Sequence, residues 1–166
     1  MASRLVKLTT LSEEFQILAR AAVAASAQAY AAYSEFHVGA ALLHPDGTHT
    51  VGANWENCTF QATCAERCAI VAANVNGKRQ AKAVAVYGLS RKVGVVTPPD
   101  ALTPPCGLCR QFLHEVAELS STDMTVILVT ASQESAEVMK LSELLPLAFG
   151  PSSCGLDISK YVPKEN

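Results

Sequence analysis

Apolar positions recur with a helical period over the stretch that follows Ser12. Phe15, Leu18, Ala22 and Ala25 fall on one stripe at i, i+3 and i+4 spacing, which predicts a helix over residues 11–30. Ser12 is its cap, and Glu13 and Glu14 face the positive end of its dipole. The period then changes. His37 to His44 reads as a strand, Pro45-Asp46-Gly47 as a turn, and Thr48 to about Trp55 as the returning strand of a hairpin. Residues 56–62 are polar and read as a loop. Thr63 reads as the N-cap of a second helix that runs to about Asn76 and stops at Gly77. Ala81 to Leu89 is rich in Val and Ala and predicts a strand buried on both faces. A proline-bearing loop over 90–104 leads to a third helix from Cys106 to about Leu119, with Phe112, Leu113, Val116 and Leu119 on one face. Met124 to Thr130 is a β-branched strand, residues 136–141 a weaker one, and residues 142–145 a single helical turn ended by Pro146. The order α-β-β-α-β-α-β-β predicts an α/β fold, a three-layer α-β-α sandwich around a mixed five-stranded sheet.

Composition narrows the class. A chain of 166 residues, 49% apolar, is the size of one domain with one core, with residues 1–10 and 152–166 as peripheral tails. The net charge of −2 supplies no electrostatic footprint for nucleic acid. No apolar run reaches the roughly 20 residues of a membrane span. The opening Met1-Ala-Ser-Arg-Leu-Val-Lys lacks the apolar core of a secretory signal. Six cysteines in such a chain suggest a reducing, cytoplasmic setting, and metal rather than disulfides.

Two of the cysteine clusters carry chemistry. Cys64-Ala65-Glu66-Arg67 places a thiol and a carboxylate two residues apart, and Pro105-Cys106-Gly107-Leu108-Cys109-Arg110 supplies a Cys-x-x-Cys. Three thiolates, Cys64, Cys106 and Cys109, hold Zn²⁺ and leave a fourth position for water. This is the ligand pattern of zinc deaminases, where Pro-Cys-x-x-Cys is paired with His-x-Glu or Cys-x-Glu. Glu66 is then the proton carrier, because a carboxylate moves protons both ways. Three thiolates leave the site at net −1. Two helix N-termini, and Arg67 and Arg110 as donors to sulfur, are placed to offset it. Other readings of the same residues stand beside this one. Thr63-Cys-Ala-Glu66 is also a capping box. Cys68, four residues after Cys64, completes a closed four-cysteine structural site. Cys106 and Cys109 alone have the spacing of a redox pair.

At these residues the chain resembles the cytidine deaminase family, small homotetrameric zinc enzymes acting on free nucleosides. Five segments carry the likeness in family order: Tyr33 to Leu42, Gly52-Ala-Asn-Trp-Glu-Asn57, Cys64-Ala-Glu-Arg67, Pro105-Cys-Gly-Leu-Cys-Arg-Gln111, and Leu144 to Pro151. The resemblance implies hydrolytic deamination of cytidine and 2′-deoxycytidine in pyrimidine salvage, with one zinc per subunit held by Cys64, Cys106 and Cys109, and Glu66 as shuttle. It implies that Asn54 and Glu56 bind the ribose 3′-hydroxyl, that Phe36 packs on the pyrimidine, and that the backbone near Ala65 meets the base. Arg67 resembles the residue that bonds the ligand thiolates. Phe149 resembles an aromatic contributed to a neighbouring subunit's pocket, with Tyr33 and Phe60 as further cross-subunit candidates. The chain departs from the family at Trp55, Phe60 and Cys68, and in the longer 90–104 loop and the 152–166 extension. Rival readings are a blasticidin-type deaminase, a deaminase of polynucleotide bases, and a zinc-stabilised binding module using Cys68.

Overall fold

A computed structural model describes residues 4–162; residues 1–3 and 163–166, parts of the two tails, lie outside it. The elements are β1 (Leu5–Lys7), α1 (Glu13–Ser26), β2 (Phe36–Leu43), β3 (His49–Ala53), β4 (Trp55–Glu56), β5 (Ala62–Thr63), α2 (Ala65–Val75), β6 (Ala83–Ser90), α3 (Gly107–Leu119), β7 (Thr125–Val129), β8 (Ser135–Lys140) and α4 (Leu141–Leu144). The main sheet has the order β1-β8-β7-β6-β2-β3. Only β6 and β7 run parallel, so the sheet is mixed as expected.

The sheet has six strands, not five. The sixth is β1, within the stretch expected to be a peripheral tail; it pairs antiparallel with β8, Leu5 opposite Glu137. Three residues carry no legible period, and only the distant partner makes them a strand. The hairpin's returning strand also stops short of Trp55. Asn54 takes the β2 edge with its side chain, accepting from the Val38 N–H at 2.8 Å and donating to the Phe36 carbonyl at 2.9 Å. The chain beyond then turns away. The Tyr30 N–H donates to the Asn54 carbonyl, and the Glu56 N–H to the Tyr30 carbonyl. The first helix ends at Ser26 and does not reach Tyr30, whose backbone is engaged in those bonds. The expected 56–62 loop closes with a two-residue ribbon, β4 against β5.

Helices cover both faces. Val84, Val86, Val126 and Leu128 point into one core with Ala65, Ala69 and Ala73 of α2 and Leu113 and Val116 of α3. Ala83, Ala85, Ile127 and Val129 point into the other, with Leu18, Ala19 and Ala22 of α1. This period-2 alternation makes the three layers. Small residues set how closely the layers approach. A Cβ on Gly52 would lie 2.3 Å from the Ala69 amide nitrogen and 2.4 Å from the Ala65 carbonyl oxygen. Those are backbone atoms of α2, so β3 and α2 touch main chain to main chain, at the turn that carries Cys64 and Glu66. Gly52→Ala is therefore expected to cost about 1–3 kcal/mol of stability and to lower zinc content as α2 is pushed off the sheet. Denaturant midpoints and zinc analysis check both; a variant with unchanged stability and metal would refute the contact.

Candidate active site

Helices α2 and α3 begin with a cysteine at the N-cap, Cys64 and Cys106, and neither uses its side chain as a cap. Cys109 sits in the first turn of α3, fully buried. The three Sγ atoms lie within 4.8 Å of one another, and Cys64 and Cys106 are 3.9 Å apart. Four-coordinate zinc with Zn–S bonds of about 2.3 Å separates its sulfurs by about 3.8 Å. The donor set and its spacing therefore fit zinc.

Thr63 is not the cap expected of it. It lies in β5, and Cys64 occupies the cap position, so no capping box forms. Glu66, at the second position of α2, is 3% exposed. Burial raises its pKa, the Cys64 charge adds to the rise, and hydrogen bonds from its own N–H and from Cys109 oppose it. Glu66 is thus a buried carboxyl in contact with the sulfur cluster, and it is free of a capping role. Ala65, the first residue of the helix, is fully buried beside it.

Arg67 faces the sulfurs as expected. Its Nη2 donates to the Cys64 Sγ at 3.6 Å and to the Ala62 carbonyl at 3.1 Å. The thiol of Cys64 is pulled down to about 5, first by a hydrogen bond from Cys109 and then by Arg67. Cys109 is pushed up because its proton serves that bond and because it is buried. Arg110 does not follow the expectation. Its Nε donates to the Pro105 carbonyl at 2.8 Å and its Nη1 to the Leu144 carbonyl at 2.9 Å. It ties the second motif to α4 rather than bonding sulfur. Cys68 stands apart from the cluster. Its thiol makes only a 3.9 Å contact with the Thr63 carbonyl, and burial raises its pKa. The four-cysteine site does not form among the described residues.

The 90–104 loop is pinned where it delivers Cys106. Thr103 donates to the Gly88 carbonyl at 3.2 Å, and Ala101 accepts from the Ala131 N–H at 3.0 Å.

The expected sugar-binding residues form a second group. Glu56 is buried, and its Oε2 accepts from the N–H groups of Tyr33 at 2.8 Å and Ser34 at 3.1 Å. Its Oε1 accepts from the Ser34 hydroxyl, a bond that leads the causes holding this carboxyl below the usual range. Tyr33, Ser34, Glu56, Phe60 and Ala62 line a cavity of about 260 Å³. The Ala62 carbonyl that accepts from Arg67 links that cavity to the cluster. A larger cleft of about 590 Å³ lies elsewhere, under α4 and residues 145–148, and none of the cluster residues line it.

Phe60 has φ +59° and is 85% exposed, its ring 5.7 Å from that of Tyr33. Phe149 is 67% exposed, and its carbonyl accepts from Gln111 Nε2 at 2.7 Å. Phe36 opens β2 with its ring partly exposed, so it is not a core aromatic. Sequence reasoning missed Ser34 and Asn57. Asn57 Oδ1 accepts from the Thr59 hydroxyl and the N–H groups of Thr59 and Gln61, and so shapes the loop that presents Phe60. Asn57-x-Thr59 was a legible Asx-turn signal; the Ser34 partnership spans 22 residues and has no local signal.

Comparison with known proteins agrees with this geometry. The family described as "Cytidine and deoxycytidylate deaminase zinc-binding region" matches residues 12–125. The chain belongs to the cytidine deaminase family. It is an enzyme of that family, a hydrolase. The cytidine deaminase of Halalkalibacterium halodurans is 41% identical over 135 residues, 81% of this chain and 92% of its own length. That of Sporosarcina psychrophila is 41% identical over 123 residues, 74% of this chain and 81% of its own. The crystal structure of the cytidine deaminase from Burkholderia pseudomallei superimposes with a TM-score of 0.68 at 36% identity, covering 80% of this chain and 97% of that one. Cys64-x-Glu66 and Cys106-x-x-Cys109 both lie inside the matched span.

Proposed function

We propose that this chain deaminates cytidine and 2′-deoxycytidine to uridine and 2′-deoxyuridine, with one zinc ion per subunit held by Cys64, Cys106 and Cys109. The observation that carries the reading is the meeting of three sulfurs and one buried carboxyl at two helix N-termini. Cys64, Cys106 and Cys109 would hold the zinc, which would act as a Lewis acid and lower the pKa of a bound water toward neutrality. Glu66 accepts a proton from that water and delivers it to the pyrimidine N3. As the water oxygen bonds to C4, Glu66 takes up the second water proton and passes it to the departing amine. The C4–N4 bond breaks and ammonia leaves, so one water is consumed for each ammonia formed. A buried carboxyl with a raised pKa suits both transfers, because its affinity for a proton lies closer to the working pH. Arg67 and the two helix ends offset the charge of the thiolates.

Asn54 and Glu56 address the ribose 3′-hydroxyl, Phe36 the pyrimidine ring, and the backbone at Ala65 the base. A homotetramer completes the pocket, with Phe149 of one subunit reaching a neighbour and Tyr33 and Phe60 at the same seam. The exposure of Phe149, Phe60 and Trp55 supports this, since burying such rings gains about 1.5–3 kcal/mol each. The setting is pyrimidine salvage in the cytoplasm, where thiolate ligands stay reduced. No helix among the described residues is long and apolar enough to cross a membrane.

The test is the ultraviolet absorbance of cytidine on adding the enzyme, with ammonia measured in parallel. Absorbance falls, ammonia appears one for one, and a zinc chelator abolishes both. Inertness toward both nucleosides, with deamination of blasticidin or of an oligonucleotide cytosine, would overturn the substrate assignment.

A further inference from the structure

We propose that Ser34 is a positioning residue for nucleoside binding: its hydroxyl holds Glu56 so that one carboxylate lone pair is left for a sugar hydroxyl. The inference rests on the sugar-binding reading of Asn54 and Glu56 and adds a residue that reading does not contain.

An ionised carboxylate has about four acceptor sites. Three of those on Glu56 are filled, two by the Tyr33 and Ser34 N–H groups and one by the Ser34 hydroxyl. The Ser34 oxygen itself accepts from the Phe36 N–H at 3.1 Å. With that lone pair engaged, the one hydroxyl proton is directed to Glu56 Oε1. Asn54 is half used in the same way. Its Oδ1 takes the Val38 N–H and its Nδ2 gives one hydrogen to the Phe36 carbonyl. What remains on the pair is one N–H donor on Asn54 and one acceptor site on Glu56. An alcohol, which donates once and accepts, is the complement of that residue.

Every group that hydrogen-bonds the two side chains comes from residues 33–38. Within this stretch only Ser34 hydrogen-bonds Glu56 through a side chain, so a substitution there removes one bond to the carboxylate while leaving the backbone bonds in place. Without the hydroxyl, Oε1 has two unfilled acceptor sites. The carboxylate is then held only through Oε2 by the Tyr33 and Ser34 N–H groups, and water competes at Oε1 for the place of the sugar hydroxyl. Ser34 is exposed at the surface of the turn, so removing one oxygen leaves both cores untouched.

The test is steady-state kinetics of Ser34→Ala and Ser34→Thr with cytidine and with 3′-deoxycytidine, and Glu56→Gln is assayed alongside. Ser34→Ala is expected to raise KM for cytidine about tenfold and to change kcat by less than about twofold, as for loss of a charge-assisted hydrogen bond that orients a binding group. Ser34→Thr restores KM because it restores the hydroxyl. With 3′-deoxycytidine the Ser34→Ala penalty disappears. An equal penalty on both substrates, or none on either, overturns the inference. If Glu56→Gln distinguishes the two substrates and Ser34→Ala does not, the role of Ser34 fails and the sugar-binding reading stands. If Glu56→Gln is indifferent to the 3′-hydroxyl, that reading fails and the inference falls with it.

Discussion

Glu66→Gln is expected to lower kcat on cytidine by about 10³–10⁴-fold, the upper part of the range for loss of a general acid–base, because the proposed mechanism gives the same carboxyl two proton transfers. Glutamine keeps the shape and can still accept a hydrogen bond, but it cannot carry a proton. Zinc content is expected to stay at the wild-type level, since the metal-sized cluster consists of Cys64, Cys106 and Cys109 and does not include Glu66. Stability is not expected to fall either. Burial is the leading cause of the raised Glu66 pKa, so the folded protein disfavours the charged form and a neutral side chain relieves it. Initial rates, zinc analysis and thermal melting on one preparation separate these effects. A Glu66→Gln variant with wild-type kcat would remove Glu66 from the reaction. A variant that lost its zinc would make Glu66 a ligand.

Cys109→Ala and Cys68→Ala are expected to differ completely, although both remove a sheltered thiol. Cys109 is fully buried in the first turn of α3 and belongs to the cluster. Its loss leaves two protein ligands, and two do not retain zinc against dilution. Zinc is expected to fall well below half of one ion per chain, and activity to background, because a water without the metal has a pKa near 15.7 rather than about 7. Cys68→Ala removes only a 3.9 Å contact with the Thr63 carbonyl. Zinc and activity are expected to stay within about twofold of wild type. If zinc instead depends on Cys68, the site is closed and structural.

The three-sulfur cluster was legible in the sequence because its parts are local: Cys64-x-Glu66 and Cys106-x-x-Cys109 each fit within one helical turn. The layers were legible for a similar reason. Ala83–Ser90 and Thr125–Val129 are apolar at nearly every position and so read as strands buried on both faces, and their neighbouring residues do go to opposite cores. What was not legible depends on distant partners. Leu5–Lys7 is a strand only because Ser135–Lys140 is there to pair with it. Thr63 has the chemistry of a cap, but pairing with Trp55 draws it into a ribbon and passes the cap position to Cys64. Arg110 follows a ligand cysteine in the sequence as Arg67 follows Glu66, yet it points to Leu144, because a carbonyl at the end of α4 lies within its reach. Ser34 went unread for the same reason, its partner being Glu56 on a different element.

X-ray absorption at the zinc edge of the loaded protein tests the central claim most directly. An open site predicts three sulfurs at about 2.3 Å and one oxygen at about 2.0 Å. Four sulfurs and no light ligand would contradict it, since no position would remain for the water that Glu66 is proposed to deprotonate.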